Sequence, residues 1–338
     1  MAKVAINGFG RIGRLFFRQA FGNPYLDVVA INDLGDCKNL AYLLKYDTVY
    51  GTYDKDVKSA EGKLIVDGKE IKFLQEKDPT KLPWKGLAID VVVESTGAFE
   101  SYEKAKVHLS SGAKRVVITA PAKDPDGTEG KTVLIGVNDA EAKGLVLTSN
   151  GSCTTNAASP VIAVMGETVG IEKAILNTVH AYTATQNIVD GPARGDDMRR
   201  GRAAAENITP STTGAAIAIT RAIPELNGKF DGIAFRVPVI SGSIADITFV
   251  TKRKTSVGEI NEIFKKAAVS PRWQGILQVT EEQIVSSDII GNPHGAIVDL
   301  NFTKVVDGDL VKVLSWYDNE WGYAATLVKH VERIAQLV

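Results

Sequence analysis

Three glycines near the amino terminus constrain this chain more than any other feature. Gly8, Gly10 and Gly13 follow the spacing G-x-G-x-x-G. Residues 3–6 before them read as a short buried strand. Residues 11–21 after them read as a helix that stops near Gly22-Asn23-Pro24. Residues 27–33 form a second apolar run that closes on an acid, Asp33. Together these make a βαβ unit with a dinucleotide fingerprint. The glycines let the backbone approach a pyrophosphate, and the helix start supplies N–H donors. Asp33 is placed to hydrogen-bond ribose hydroxyls. The plainer alternative is a tight turn in some other α/β protein.

The open sheet continues downstream. Residues 64–73 read as a hairpin on the Asp67-Gly68 turn. Residues 89–94 form a buried run ending at Ser95-Thr96-Gly97. A helix over 101–111 leads to a strand over 114–119, which ends at Thr119-Ala120-Pro121. Carboxyl ends of parallel strands are where such sheets bind ligands, although ordinary turn chemistry gives the same residues. The apolar run 144–147 reads as another strand.

After residue 152 the texture changes. Residues 174–183 read as a strand carrying His180, followed by a polar segment over 186–207 rich in Gly, Asp and Arg. That segment is long for a loop without structure, which suggests a functional or interface element. Ser211-Thr212-Thr213-Gly214-Ala215-Ala216 reads as a helix opening. Strands are predicted over 233–238, 244–250, 296–302 and 310–316, and Ser256-Val257-Gly258-Glu259 reads as a capping box for a helix over 259–268. A final helix carries Leu327, Val331, Ile334 and Ala335 at helical spacing. The expected fold is α/β: a Rossmann-type dinucleotide-binding domain over 1–152, completed by the helix over 320–338. An α+β catalytic domain with a mainly antiparallel or mixed sheet follows over 153–319.

Composition removes several function classes. A net charge of −1 over 338 residues gives no bulk electrostatic case for nucleic acid or a membrane surface. The apolar runs are too short to span a bilayer. Two cysteines, Cys37 and Cys153, suggest no disulfide framework. A reducing, cytoplasmic setting is expected, with no signal-like stretch before the first strand. No metal site is expected.

Chemistry concentrates in Ser149-Asn150-Gly151-Ser152-Cys153-Thr154-Thr155-Asn156. The octet joins an apolar strand to an apolar run that reads as a helix despite Pro160. Cys153 then sits at a helix start, where unpaired N–H groups and the dipole favour a thiolate and lower a thiol pKa. The alternative is a helix cap with an inert cysteine. A cysteine nucleophile needs a base, and there are four histidines. His108 and His330 read as residues of surface helices, and His294 follows a Gly-Asn-Pro turn. His180 lies on an apolar strand, where a core role is the commoner reading. Cys37 reads as a small buried hydrophobe or a helix-start residue.

The octet resembles the active-site motif of phosphorylating glyceraldehyde-3-phosphate dehydrogenases. The resemblance runs nearly end to end, from Asn7-Gly8-Phe9-Gly10-Arg11-Ile12-Gly13-Arg14 to Trp316-Tyr317-Asp318-Asn319-Glu320-Trp321-Gly322-Tyr323. Two departures are Gly151, where the family usually has alanine, and Ile217, where it often has lysine. The resemblance implies Cys153 as nucleophile and His180, within Thr-Val-His-Ala-Tyr-Thr, as its base. It implies NAD as cofactor, held by Asn7, Gly8, Phe9, Gly10, Arg11, Ile12, Gly13, Asp33, Lys77, Thr96, Gly97 and Thr119, with Asn319 on the nicotinamide amide. Glyceraldehyde 3-phosphate and inorganic phosphate would occupy two anion sites. Ser152, Thr154, Thr213 and Gly214 fall on one; Thr183, Arg236 and Arg200 fall on the other. A homotetramer is implied, with the 186–207 segment ordered against a neighbour. NAD is expected over NADP because Asp33 repels a 2′-phosphate and Leu34 offers it nothing. Arg194 and Lys38 are the residues that could offset that repulsion. A scaffold protein without turnover, or another thioester-forming dehydrogenase such as one acting on erythrose 4-phosphate, stays open at this point.

Overall fold

The computed structural model describes residues 1–193 and 195–337. Arg194, weighed above against a 2′-phosphate, lies outside the described residues. The chain divides into two compact units, residues 1–151 with the segment from Ala324 onward, and Ser152–Tyr323.

The first unit opens with β1 (Ala2–Asn7), α1 (Arg11–Ala20), β2 (Leu26–Asn32) and α2 (Cys37–Lys45). A short ribbon of β3 (Tyr46–Asp47) and β4 (Gly51–Thr52) precedes β5 (Val57–Ala60), β6 (Lys63–Val66) and β7 (Lys69–Leu74). Then come α3 (Trp84–Leu87), β8 (Val91–Glu94), α4 (Tyr102–Ser110), β9 (Arg115–Ile118), β10 (Gly130–Thr132) and β11 (Leu147–Ser149). The strand order is β10-β11-β9-β8-β1-β2-β7-β6-β5. All pairings from β10 to β7 are parallel, and the β5–β6–β7 edge is antiparallel. The order reverses beside β1, which pairs with β2 on one side and β8 on the other. That makes the carboxyl ends of β1, β2 and β8 the natural ligand crevice.

Strand alternation divides the core between the two sheet faces. Val4, Ile6, Val91, Val93 and Val117 pack with Phe16 and Phe17 of α1 on one face. Ala5, Val92, Val116 and Ile118 pack with Trp84 and Tyr102 on the other. With both faces covered, the strands read as unbroken apolar runs.

The second unit begins with α5 (Cys153–Thr168), whose residues from Thr154 to Met165 are all buried. Such a helix, apolar around its circumference, belongs in a core. Next come β12 (Ile171–Ala181), β13 (Thr209–Thr212), α6 (Ala215–Ala222), β14 (Phe230–Val237) and β15 (Ser243–Thr251). The unit continues with α7 (Val257–Ala268), β16 (Leu277–Thr280), β17 (Ala296–Val306) and β18 (Leu310–Tyr317). The sheet order is β13-β14-β12-β15-β18-β17-β16. It is mixed: β12–β14 and β16–β17 are parallel and the other pairings antiparallel. The last helix, α8 (Trp321–Ala335), sends Leu327, Val328, Val331 and Ile334 into the α1 face of the first unit.

Several local expectations are corrected. The strand predicted over 144–147 is Leu147–Ser149, because Gly144 turns at φ +84° and pairing with β9 starts only at Leu147. Ser211 and Thr212 belong to β13, and α6 starts after Gly214. The capping box of α7 is half-formed: Ser256 Oγ accepts from Glu259 N at 3.2 Å, but the Glu259 carboxylate is taken by Thr255 and Arg253. His108 and His330 are not on surfaces; both are fully buried. Trp84 and Glu94 engage His108, and Asn150 and Thr148 engage His330.

Candidate active site

The crevice of the first unit has the shape a dinucleotide needs. At Gly8 (φ +95°) an added Cβ would lie 2.6 Å from the Thr96 backbone, and at Gly13 it would lie 2.2 Å from the Gly8 carbonyl. At Gly10 it would meet nothing within 4 Å. Two glycines therefore close the β1–α1–β8 seam, and the third leaves a cradle open at the helix start. No side chain caps α1, and the N–H groups of a helix start are what an anion site uses. Asp33 is fixed at the end of β2, accepting from Phe9 N at 2.6 Å and Gly35 N at 2.8 Å. A cleft of about 480 Å³ is lined by Asn7, Gly8, Gly10, Asp33, Lys77 and Thr96 among others. Gly97 turns at φ +74° just beyond β8, and Thr119 N donates to Glu94 O at the end of β9. Phe9 is buried in the core, and Ile12 packs against it. The Arg11 side chain pairs with Asp47 at 2.5 Å, so near the cradle this residue offers its backbone.

In the second unit, α5 starts with a full capping box: Ser152 and Thr155 exchange side-chain and backbone hydrogen bonds. This orders the first turn and fixes Cys153 at the start of a helix buried from Thr154 to Met165. On β12, His180 presents Nε2 3.3 Å from Cys153 Sγ. On the adjacent parallel strand, His180 pairs in register with Arg236, and Arg236 Nη1 lies 2.6 Å from His180 Nδ1. That nitrogen also lies 2.6 Å from Ala181 O.

Electrostatics corrects one sequence expectation. Burial pushes the Cys153 thiol above its ordinary value. The Arg236 charge, the Thr154 hydroxyl and the helix-start N–H groups pull it down without prevailing. The helix start thus acts with the expected sign but is outweighed by lost solvation. Burial, and then the Arg236 charge, pushes the His180 imidazole down to about 3. The pair is accordingly a neutral thiol beside a neutral imidazole near pH 7.

The anion-binding candidates separate into groups. Arg236 contacts His180 directly and acts on Cys153 through its charge. Thr183 Oγ1 lies 3.0 Å from Thr185 Oγ1, which accepts from Arg200 at 3.3 Å, and the Arg200 charge is felt by Arg236. Ser152 Oγ is engaged in the α5 cap, and Thr154 Oγ1 is turned inward to Tyr317 Oη at 2.9 Å. Thr213 Oγ1 accepts from Ala215 N at the start of α6, next to Gly214. Asn319 Oδ1 accepts from Gly242 N and Ser243 Oγ, which fixes its amide.

Tyr317 and Thr178 are site residues that sequence reasoning missed. Tyr317 Oη bonds both Thr154 and Thr178, and its ring stacks edge-on to His180 at 5.9 Å. Burial raises its pKa strongly, so it remains a neutral hydroxyl. Thr178 was findable: it lies two residues before His180 on one strand face. Among the described residues no group of His, Cys, Asp and Glu is suited to a metal, and no helix is long and apolar enough to cross a membrane.

Comparison with known proteins agrees with this layout. Residues 2–102 match "Glyceraldehyde 3-phosphate dehydrogenase, NAD binding domain", and residues 152–319 match "Glyceraldehyde 3-phosphate dehydrogenase, C-terminal domain". The chain is 50% identical over 340 residues to glyceraldehyde-3-phosphate dehydrogenase of Thermotoga maritima, covering 100% of both chains. It is 49% identical over 341 residues to that of Borreliella burgdorferi, covering 99% of this chain and 100% of the relative. With glyceraldehyde-3-phosphate dehydrogenase B of Aspergillus oryzae it shares 44% identity over 337 residues, covering 99% of each. The chain belongs to the glyceraldehyde-3-phosphate dehydrogenase family.

Proposed function

We propose that this chain carries out the NAD-dependent oxidation of glyceraldehyde 3-phosphate with uptake of inorganic phosphate, giving 1,3-bisphosphoglycerate in glycolysis or its reversal. The observation that carries this reading is the 3.3 Å contact between Cys153 Sγ and His180 Nε2 at the start of α5. His180 takes the thiol proton, and the sulfur attacks the aldehyde carbon. The developing oxyanion is met by helix-start N–H groups and by the protonated His180. NAD, when bound, supplies the acceptor for the hydride that leaves this carbon. Asn7, Gly8, Phe9, Gly10, Arg11, Ile12, Gly13, Asp33, Lys77, Thr96, Gly97 and Thr119 would hold it, with Asn319 at the nicotinamide amide. Loss of the hydride leaves a thioester on Cys153. Phosphate attacks the thioester carbon, the C–S bond breaks, and the thiolate is restored. Arg236, Thr183 and Arg200 serve one phosphate group, and Ser152, Thr154, Thr213 and Gly214 the other, Ser152 and Thr154 through helix-start backbone rather than hydroxyls.

The test is NADH formation from glyceraldehyde 3-phosphate with and without phosphate. With phosphate, turnover continues. Without it, NADH stops near about one equivalent per site as the acyl-enzyme accumulates. Absence of NADH under both conditions contradicts the reading.

The working form is a cytoplasmic homotetramer. Ile188, Val189, Met198 and Ile208 are 84%, 73%, 84% and 70% exposed in and beside the 186–207 segment, more apolar surface than a lone loop normally shows. Burial against neighbouring subunits would remove it. Light scattering at micromolar concentration should return four times the chain mass of 36.3 kDa; a monomer mass would refute this.

A further inference from the structure

Glu94 ends β8 and is 2% exposed, yet it has no place in the chemistry above. Its carboxylate is the meeting point of a buried polar network in the first unit. Oε1 accepts from Thr96 N at 2.9 Å and from Thr96 Oγ1 at 2.5 Å. Oε2 accepts from Asn7 Nδ2 at 2.6 Å and lies 2.9 Å from His108 Nε2. The direction of this last bond follows from Trp84. Its Nε1–H only donates, and it donates to His108 Nδ1 at 3.1 Å. His108 therefore carries its proton on Nε2 and donates to Glu94. The network reaches further through Asn7 Oδ1, which accepts from Asn32 Nδ2 at 2.7 Å, and Asn32 Oδ1, which accepts from Glu76 N at 2.9 Å. The bonds from Trp84 through His108, and from Glu76 N through Asn32 and Asn7, run toward the carboxylate, so each polarises the next, while Asn32 Nδ2 also donates to Glu76 O at 3.0 Å.

Asn7, Asn32, Glu76 and Thr96 all line the cleft beside Asp33 and Gly10. We infer that Glu94 is a positioning residue for the cofactor: its buried carboxylate is the common acceptor that fixes Asn7 and Thr96 on the cleft wall. The inference rests on the reading that this cleft takes NAD. An acceptor-only group is required, because all of its partners donate. Glutamine has the same shape but brings an NH₂ that would face one of those donors in either amide orientation.

The experiment is titration of NAD into the full-length protein, with steady-state kinetics and a melting curve for each variant. The wild type must bind NAD; if it does not, the cofactor reading fails and takes this inference with it. Glu94→Gln should weaken NAD binding and raise its KM by about 10- to 100-fold, with kcat within about threefold and Cys153 alkylation unchanged. A paired change at His108 keeps the test alive where Glu94→Gln does not fold. His108→Leu removes one donor to the carboxylate and should raise the NAD Kd, while His108→Gln returns an N–H near the Nε2 position and should restore it. An NAD Kd for Glu94→Gln within about twofold of wild type would overturn the inference. So would equal Kd values for the two His108 variants, with differences appearing only in melting temperature.

Discussion

Arg236 Nη1 and His180 Nδ1 lie 2.6 Å apart, although the same nitrogen is 2.6 Å from the Ala181 carbonyl. A guanidinium only donates and a carbonyl only accepts, so Nδ1 serves one of them at a time. Contact with Arg236 keeps the imidazole unprotonated at Nδ1. Contact with Ala181 O places the proton there and leaves Nε2 open to the thiol. A phosphate group that draws Arg236 toward itself removes the first contact and favours the second. Base strength at His180 is thereby linked to anion binding.

Arg236→Gln removes the largest influence opposing burial at Cys153. The thiol pKa rises, so the pH profile of iodoacetamide alkylation should move to higher pH than in the wild type. Losing a charged hydrogen bond to phosphate should also cut kcat/KM by about 10- to 100-fold. An alkylation midpoint that stays in place would show that the guanidinium does not act on the sulfur.

Cys153→Ser should reduce turnover below about one-hundredth of wild type while leaving NAD binding and the melting temperature in place. A serine hydroxyl ionises far above the range of a thiol, so no comparable nucleophile forms near neutral pH. His180→Asn should cost about 10² to 10⁴ in rate, the usual worth of positioned proton transfer. Single-turnover NADH formation measures both, and a variant that keeps wild-type rates loses its assigned role.

His180 and His330 are buried and pushed down to about 3, below the ordinary value near 6.5. The unfolded chain binds these protons first, so stability is complete above about pH 6.5 and declines as pH falls toward 3. Each group contributes a slope of about 1.4 kcal/mol per pH unit in that window. His330→Gln removes one of them. The melting temperature of the variant should depend less steeply on pH between 7 and 4 than that of the wild type; parallel curves would contradict this.

NAD should be preferred over NADP. Asp33 is held by two backbone N–H groups and cannot swing away without losing both. A 2′-phosphate about 5 Å from it, at an effective dielectric near 20, costs roughly 3 kcal/mol, about two powers of ten in affinity. The ratio of kcat/KM values for the two cofactors reads this directly, and a ratio near one would mean that the carboxylate is outweighed.

The parts of this molecule legible in its sequence are those whose physics is local. Gly8 and Gly13 announce the close packing of β1, α1 and β8, and Asp33 announces an acid at the end of the second strand, within one βαβ unit. Cys153 at a strand–helix junction needs only its neighbours. His180 as base was carried by resemblance, because a histidine on an apolar strand looks the same whether or not a sulfur faces it. Tyr317 stayed hidden because its partners Thr154 and Thr178 are 163 and 139 positions away. His108 and His330 were misplaced for a related reason. Helical spacing gives no sign that Trp84 and Glu94, or Asn150 and Thr148, wait on the buried side. The rise in the Cys153 pKa was illegible too, since desolvation depends on everything packed around the sulfur.

The placement of α8 bears on how the chain is made. Leu327, Val331 and Ile334 complete the core that Ile6, Phe16 and Phe17 begin, so residues synthesised early wait for residues synthesised much later. While the ribosome is still producing residues 152–323, the first unit has an open apolar flank. The second unit, continuous in sequence, can close before the one that precedes it. Folding order on the ribosome then runs against the order of synthesis, and nascent chains stalled before Ala324 should be cut by protease in residues 1–151 sooner than released full-length protein.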